Sequence, residues 1–157
     1  MFFVHVRGQN LVNDAMKYPE RVHVYDRTPE ASIIYQIIFA NLAGDTFDER
    51  GLRLYLDALK EVKKTIHFKF CALVMLCKRG QEKLCVEVMK RRNNNIDILT
   101  EKYVTVQNRV FAIYAQVMGY PTFEVDYTKD LTEQQAEITN ALESLIDYHE
   151  KCNVYYI

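Results

Sequence analysis

Residues Phe70 to Leu76, FCALVML, form a continuous apolar run. A run of this length reads as a strand buried on both faces, the kind a parallel sheet uses. The flanking spacing is helical. Upstream, Asp48 opens a helix carrying Leu52, Leu56, Leu59 and Val62. Downstream, residues 81–91 place Leu84, Cys85, Val88 and Met89 on one helix face. A strand set between helices points to an α/β arrangement with parallel strands.

The remaining segments extend that pattern. Residues 21–26, RVHVYD, alternate and read as a short strand ending in an acid. Thr28 and Pro29 suit the N-cap and first position of a helix that continues through the apolar stretch Ala31–Leu42 to Gly44. That stretch is apolar on nearly every side, so a buried helix is expected. Asp97 reads as the N-cap of a long helix reaching about Met118, with Leu99, Tyr103, Val106, Val110, Ile113 and Val117 as its apolar face. Gly119 and Pro121 end it. Residues 122–126 read as a further strand. Thr132 and Gln135 offer a capping box for a last helix striped by Ile138, Leu142, Leu145 and Ile146. Residues 2–6 read equally as a further strand or as part of a helix.

Composition narrows the classes. The 157 residues carry 20 Lys+Arg against 21 Asp+Glu, so nothing favours a non-specific nucleic-acid binder. One domain spanning 1–157 is expected. No apolar run is long enough to span a bilayer, and the first residues are too short for a signal peptide, so an intracellular, cytoplasmic protein is expected. Cys71, Cys77, Cys85 and Cys152 form no CxxC pair and have no His at zinc-ligand spacing. They read as reduced thiols, with Cys152 the most exposed, and no metal site is expected from them.

Two segments could carry chemistry. Asp26-Arg27 sits at the carboxyl end of a predicted strand, where open α/β sheets bind ligands. The Arg fork can hold a polar group while Asp orients it, or the pair simply fixes the loop. Lys90-Arg91-Arg92 ends a helix before three Asn. Such cations either close over phosphates or complement the helix dipole. The five glycines, Gly8, Gly44, Gly51, Gly80 and Gly119, complete neither a phosphate-binding loop nor a GxGxxG turn.

The stretch Asp26-Arg27-Thr28-Pro29-Glu30-Ala31-Ser32, the apolar helix behind it and Gly44-Asp45 resemble the nucleoside-binding region of herpesvirus-type thymidine kinases, within the deoxynucleoside kinase family. The strand at 70–76, the helix and Arg-rich lid at 81–97 and the helix at 98–114 follow in the family's order. The resemblance covers about residues 11 to 126. It implies a three-layer, parallel-sheet kinase-like fold lacking its first P-loop βα unit. It also implies ATP-dependent 5′-phosphorylation of a deoxynucleoside with Mg²⁺, Asp26-Arg27 beside the nucleoside, and Lys90, Arg91 and Arg92 as a lid over phosphates.

The departures are specific. The P-loop and the general-base carboxylate have no counterpart, Thr28 replaces the usual His, and Ala40 stands where an Arg is common. Phosphoryl transfer is mostly positioning and charge stabilisation, so three lid cations do not replace a P-loop. The expectation is therefore a kinase-like chain that is inactive and holds no ATP or Mg²⁺ by itself. The lost sheet face would then be covered by a second copy or by a protein partner carrying a P-loop. The alternatives are a non-catalytic kinase-fold protein working through protein contacts, and an unrelated small-molecule binder.

Overall fold

A computed structural model describes residues 10, 13–18, 21, 23–28, 30–44, 46–64, 71–92 and 98–152. Among these, a helical turn at 13–17 precedes α1 (Ala31–Ala43), α2 (Glu49–Lys64), β1 (Val74–Cys77), α3 (Glu82–Arg92), α4 (Glu101–Met118), β2 (Thr122–Val125) and α5 (Leu131–Cys152). Residues 2–6, read as either a further strand or part of a helix, Pro29 and residues 93–97 lie outside the described residues.

Helix α4 is the centre of the structure. Its apolar residues point in more than one direction, and α1, α2, α3 and β1 all pack against it. The principal core joins Ile34 and Ile38 of α1, Leu52, Leu56 and Leu59 of α2, Val74 of β1, and Val110, Ile113, Tyr114 and Ala115 of α4. The leucine spacing of α2 thus buries the face the sequence marked. Asp48 caps that helix by accepting the Gly51 N–H at 2.9 Å.

The strands β1 and β2 pair in parallel, from Val74 opposite Thr122 to Cys77 opposite Val125, with α3 and α4 as the crossover. A chain returning to a parallel neighbour needs such a connection. One β1 edge faces β2; at the other, Asn108 of α4 stands in for a strand. Its Oδ1 accepts from the Cys77 N–H at 2.9 Å and its Nδ2 donates to the Cys77 carbonyl at 2.7 Å. One amide side chain thereby satisfies both backbone groups of a residue at that edge.

The expected three-layer, parallel-sheet kinase-like fold is not what forms. The described residues are mostly helical, and their sheet has two strands. A three-layer fold puts a sheet between helical layers, whereas here a helix occupies the middle. Residues 23–25 of the predicted first strand form no ladder, and Val24 and Tyr25 are exposed. Their alternation therefore buries nothing. The chain just after them is drawn instead to α4, where Thr28 and Glu30 meet the Tyr114 hydroxyl.

Local signals shifted rather than failed. Thr28 does not cap α1; Glu30 occupies the N-cap without a side-chain cap bond. Helix α1 buries Ala31, Ile34 and Ile38 but leaves Phe39 exposed, so it is a surface helix and not an enclosed one. Asp97 lies outside the described residues, and α4 starts at an N-cap Thr100 that accepts from the Tyr103 N–H. The helix closes at Gly119, whose φ of 73° is the left-handed cap that glycine favours. Helix α5 begins one residue before Thr132. Its capping box is Asp130 with Glu133: the Glu133 N–H donates to Asp130 at 2.9 Å, and the Asp130 N–H donates back at 3.4 Å.

Candidate functional site

Helices α1, α3 and α4 leave a groove of about 460 Å³ between them. Its aromatic wall follows from helix spacing. Tyr35 and Phe39 stand four residues apart on α1, so both project from one side of the helix. Phe39 stacks with Tyr103 of α4 at 6.4 Å between centroids, and Tyr35 meets Phe111 edge-on at 5.7 Å. Gln107, one helical turn beyond Tyr103, adds an amide to the lining. Cys85 and Met89 of α3 and Tyr127 after β2 complete the apolar part.

Two cations line the same groove. Arg27 places its guanidinium 4.9 Å from the Tyr35 ring centroid, within cation–π range. It does so from a backbone with φ of 78°, which is unusual for a residue with a Cβ. Arg92, in the last turn of α3, lines the groove from the other helix. Aromatic faces beside guanidinium forks suit a ligand with a flat ring and an anionic group.

The structure therefore sorts the candidate residues. Arg27 and Arg92, from the two separate segments, share one groove. Asp26 is exposed and does not line it. Lys90 and Arg91 are exposed in the last turn of α3, where cations complement the helix dipole. Tyr35, Phe39, Tyr103, Gln107 and Tyr127 were not singled out as site residues from the sequence. The i,i+4 aromatic pair Tyr35 and Phe39 on a largely aliphatic helix was the available signal.

A second polar cluster is enclosed and sits at the root of the Arg27 loop. Glu30 is 1% exposed. Tyr114 donates to its Oε1 at 2.6 Å, Thr28 Oγ1 lies 3.1 Å from the same hydroxyl, and Lys63 Nζ is 3.5 Å from Oε1. Burial, then the Glu30 charge and hydrogen bond, push the Tyr114 hydroxyl far above its ordinary pKa. Burial pulls the Lys63 ammonium down, against the pull of Glu30. The ammonium also lies 4.3 Å from the Tyr120 ring centroid. This cluster ties the chain before α1 to α2 and α4, fixing where Arg27 stands.

A third cluster closes the end of the sheet. Asp126 follows β2 and accepts from Lys78 at 2.7 Å, Gln81 at 2.8 Å, and the Thr128 N–H and hydroxyl at 3.0 and 2.6 Å. Those donors, Lys78 first, hold its carboxyl far below the usual range. Its acceptor capacity is taken up within the fold, which makes it a clasp between β1, α3 and β2. Next to it Lys129 pairs with Glu137 of α5, which raises the lysine's pKa.

Cys77 and Cys85 are buried and Cys71 is half-buried, as expected of core thiols. The side chain of Cys152 lies outside the described residues. Among the described residues, no helix is long and apolar enough to cross a membrane.

Comparison with known proteins gives one viral relative. The chain is 36% identical over 127 residues to an uncharacterized 33.9 kDa protein in the PE 3′ region of Lymantria dispar multicapsid nuclear polyhedrosis virus. That match takes in 81% of this chain but only 41% of the viral protein, so the chain spans about two fifths of its relative's length. No protein-family model matches the chain, and no solved structure does.

Proposed function

We propose that this protein binds a nucleotide-like ligand, a deoxynucleoside monophosphate being the type, in the groove between α1, α3 and α4. The observation that carries the reading is that Arg27 and Arg92 come to one aromatic-lined groove. Tyr35 and Phe39 offer faces for a base, and the two guanidiniums offer forks for a phosphate. The motif-level resemblance to thymidine kinases around Asp26–Ser32 supports a nucleoside-type ligand. Among the described residues that line the groove, none belongs to a phosphate-binding loop and none is a carboxylate, so the reading is one of binding.

The test is a thermal-unfolding titration of the whole chain with dTMP, thymidine, inorganic phosphate and Mg-ATP in separate arms. A ligand at 100 times its Kd adds about 2.7 kcal/mol to stability. The expected result is a shift with dTMP that exceeds those of thymidine and phosphate and disappears in Arg92→Ala. Equal unfolding temperatures in all four arms would overturn the reading.

A further inference from the structure

Cys85 and Met89 in the groove wall bring two sulfur atoms beside the buried Cys77 of β1. Cys77 ends β1, and Cys85 and Met89 lie one turn apart on α3. Cys77 and Cys85 belong to one buried cluster with Val86 and Val104, against which Met89 and Tyr127 pack. The Cys85 thiol lies 3.9 Å from the Met89 sulfur. Burial and the neighbouring Cys85 thiol push the Cys77 thiol up to about 12, and burial with the Cys85 thiol beside it also raises Tyr127. Two sulfurs of α3 are thus in contact, and the Cys77 thiol at the end of the adjacent strand belongs to the same buried cluster, where it donates to the Lys78 carbonyl at 3.4 Å.

The donor set selects the ion. Among the described residues no three His, Cys, Asp or Glu side chains gather at a metal-binding distance, so zinc lacks its usual complement. Two thiols and a thioether form instead a soft, all-sulfur set of the kind that favours Cu(I). The spacing of the α3 pair fits as well: a metal about 2.3 Å from each sulfur at trigonal angles needs sulfurs about 4.0 Å apart. Cys85 and Met89 stand at that separation without rearrangement. Both also line the groove, which gives the ion a way in.

We propose that Cys77, Cys85 and Met89 form a binding site for a monovalent soft metal ion, with Cu(I) its natural occupant. Binding replaces the two thiol protons, which leave to solvent, by two metal–thiolate bonds, and Met89 donates a lone pair; no electron is transferred. Affinity therefore rises with pH. The site stands whether or not a nucleotide enters the groove above it.

The test is a titration of the reduced full chain with Cu(I) under argon, in competition with the chromophoric chelator bicinchoninate. One equivalent is expected to bind in wild type and equally in Cys71→Ser/Cys152→Ser. Cys77→Ser and Cys85→Ser should each lose at least about 100-fold in affinity, and Met89→Leu, which keeps the apolar volume, about 10-fold. Because a buried Cys→Ser change can unfold the chain, X-ray absorption on the wild-type complex gives an independent reading. Three sulfur neighbours at about 2.3 Å are expected. Retained affinity in folded Cys85→Ser, loss of binding in Cys71→Ser/Cys152→Ser, or nitrogen and oxygen neighbours around the copper would each overturn the proposal.

Discussion

The Tyr114 hydroxyl donates to Glu30 Oε1 at 2.6 Å inside the core, across a sequence separation of 84 residues. The partner oxygen, Oε2, is buried and has no hydrogen-bond partner among the described residues. A buried carboxylate so placed depends heavily on the donors it has, because a lost donor leaves its charge without compensation.

Tyr114→Phe should therefore destabilise the protein by about 1–3 kcal/mol, the cost of leaving a buried acceptor unsatisfied. Glu30→Gln keeps the size and an acceptor but removes the charge that partners Lys63. In the Glu30→Gln background the Tyr114→Phe effect should shrink, since a neutral amide is less costly to leave without a donor. Urea unfolding of the two single variants and the double variant measures this coupling. Additive effects would show that the 2.6 Å contact carries no energetic weight.

Asn108 bonds both backbone groups of Cys77. Asn108→Asp keeps the shape and the acceptor but loses the amide donor to the Cys77 carbonyl. Asn108→Leu loses both bonds. Each should cost about 1–3 kcal/mol, with Leu the greater, because half-buried backbone groups lose the side chain that bonds them at that edge. Faster amide exchange at Cys77 in Asn108→Leu, relative to the β1 residues that face β2, is the local readout.

Arg27 combines a positive φ with a place in the groove. Asn tolerates that backbone region whereas a β-branched residue does not. Arg27→Asn should leave stability within about 0.5 kcal/mol of wild type. Arg27→Ile should cost about 1–2 kcal/mol more than Asn does. Both should weaken dTMP binding alike, so calorimetric affinity and unfolding free energy separate the guanidinium's role from the backbone's.

Asp126 sets an acid-side dependence. Its folded pKa is depressed by Lys78, Thr128 and Gln81. The stabilisation it supplies is thus complete above the unfolded carboxyl value of about 3.9 and declines as pH falls below it. Asp126→Asn, which never carries the charge, should be less stable than wild type at neutral pH. The gap between the two melting temperatures should narrow as the pH is lowered below 4. A gap independent of pH would mean that the clasp acts through shape alone.

The local periodicities were legible in the residues. Leu52, Leu56 and Leu59 at helical spacing gave α2 its buried face, since a face is set by spacing and needs no knowledge of the partner. Val74–Leu76 of the apolar run joined Cys77 as β1, although Met75 is exposed and the strand is not buried on both faces, the TFEV segment after Pro121 became β2, and Gly119 ended α4 because few other residues adopt a left-handed cap. Arg27 and Arg92 could be named as candidates because guanidiniums beside loop and helix ends are chemically conspicuous.

What the sequence by itself determined, then, is where helices and strands can start, stop and present apolar faces, which are matters of neighbouring residues. Only the tertiary structure decided that α4 would occupy the middle, that residues 23–25 would stay out of the sheet, and that Tyr35 and Phe39 would wall a groove with Arg92. Those outcomes rest on contacts such as Glu30 to Tyr114 and Asn108 to Cys77, between residues far apart in the chain. Alternation along a segment shows that it can bury one face, but a strand forms only where a neighbouring edge offers its hydrogen bonds.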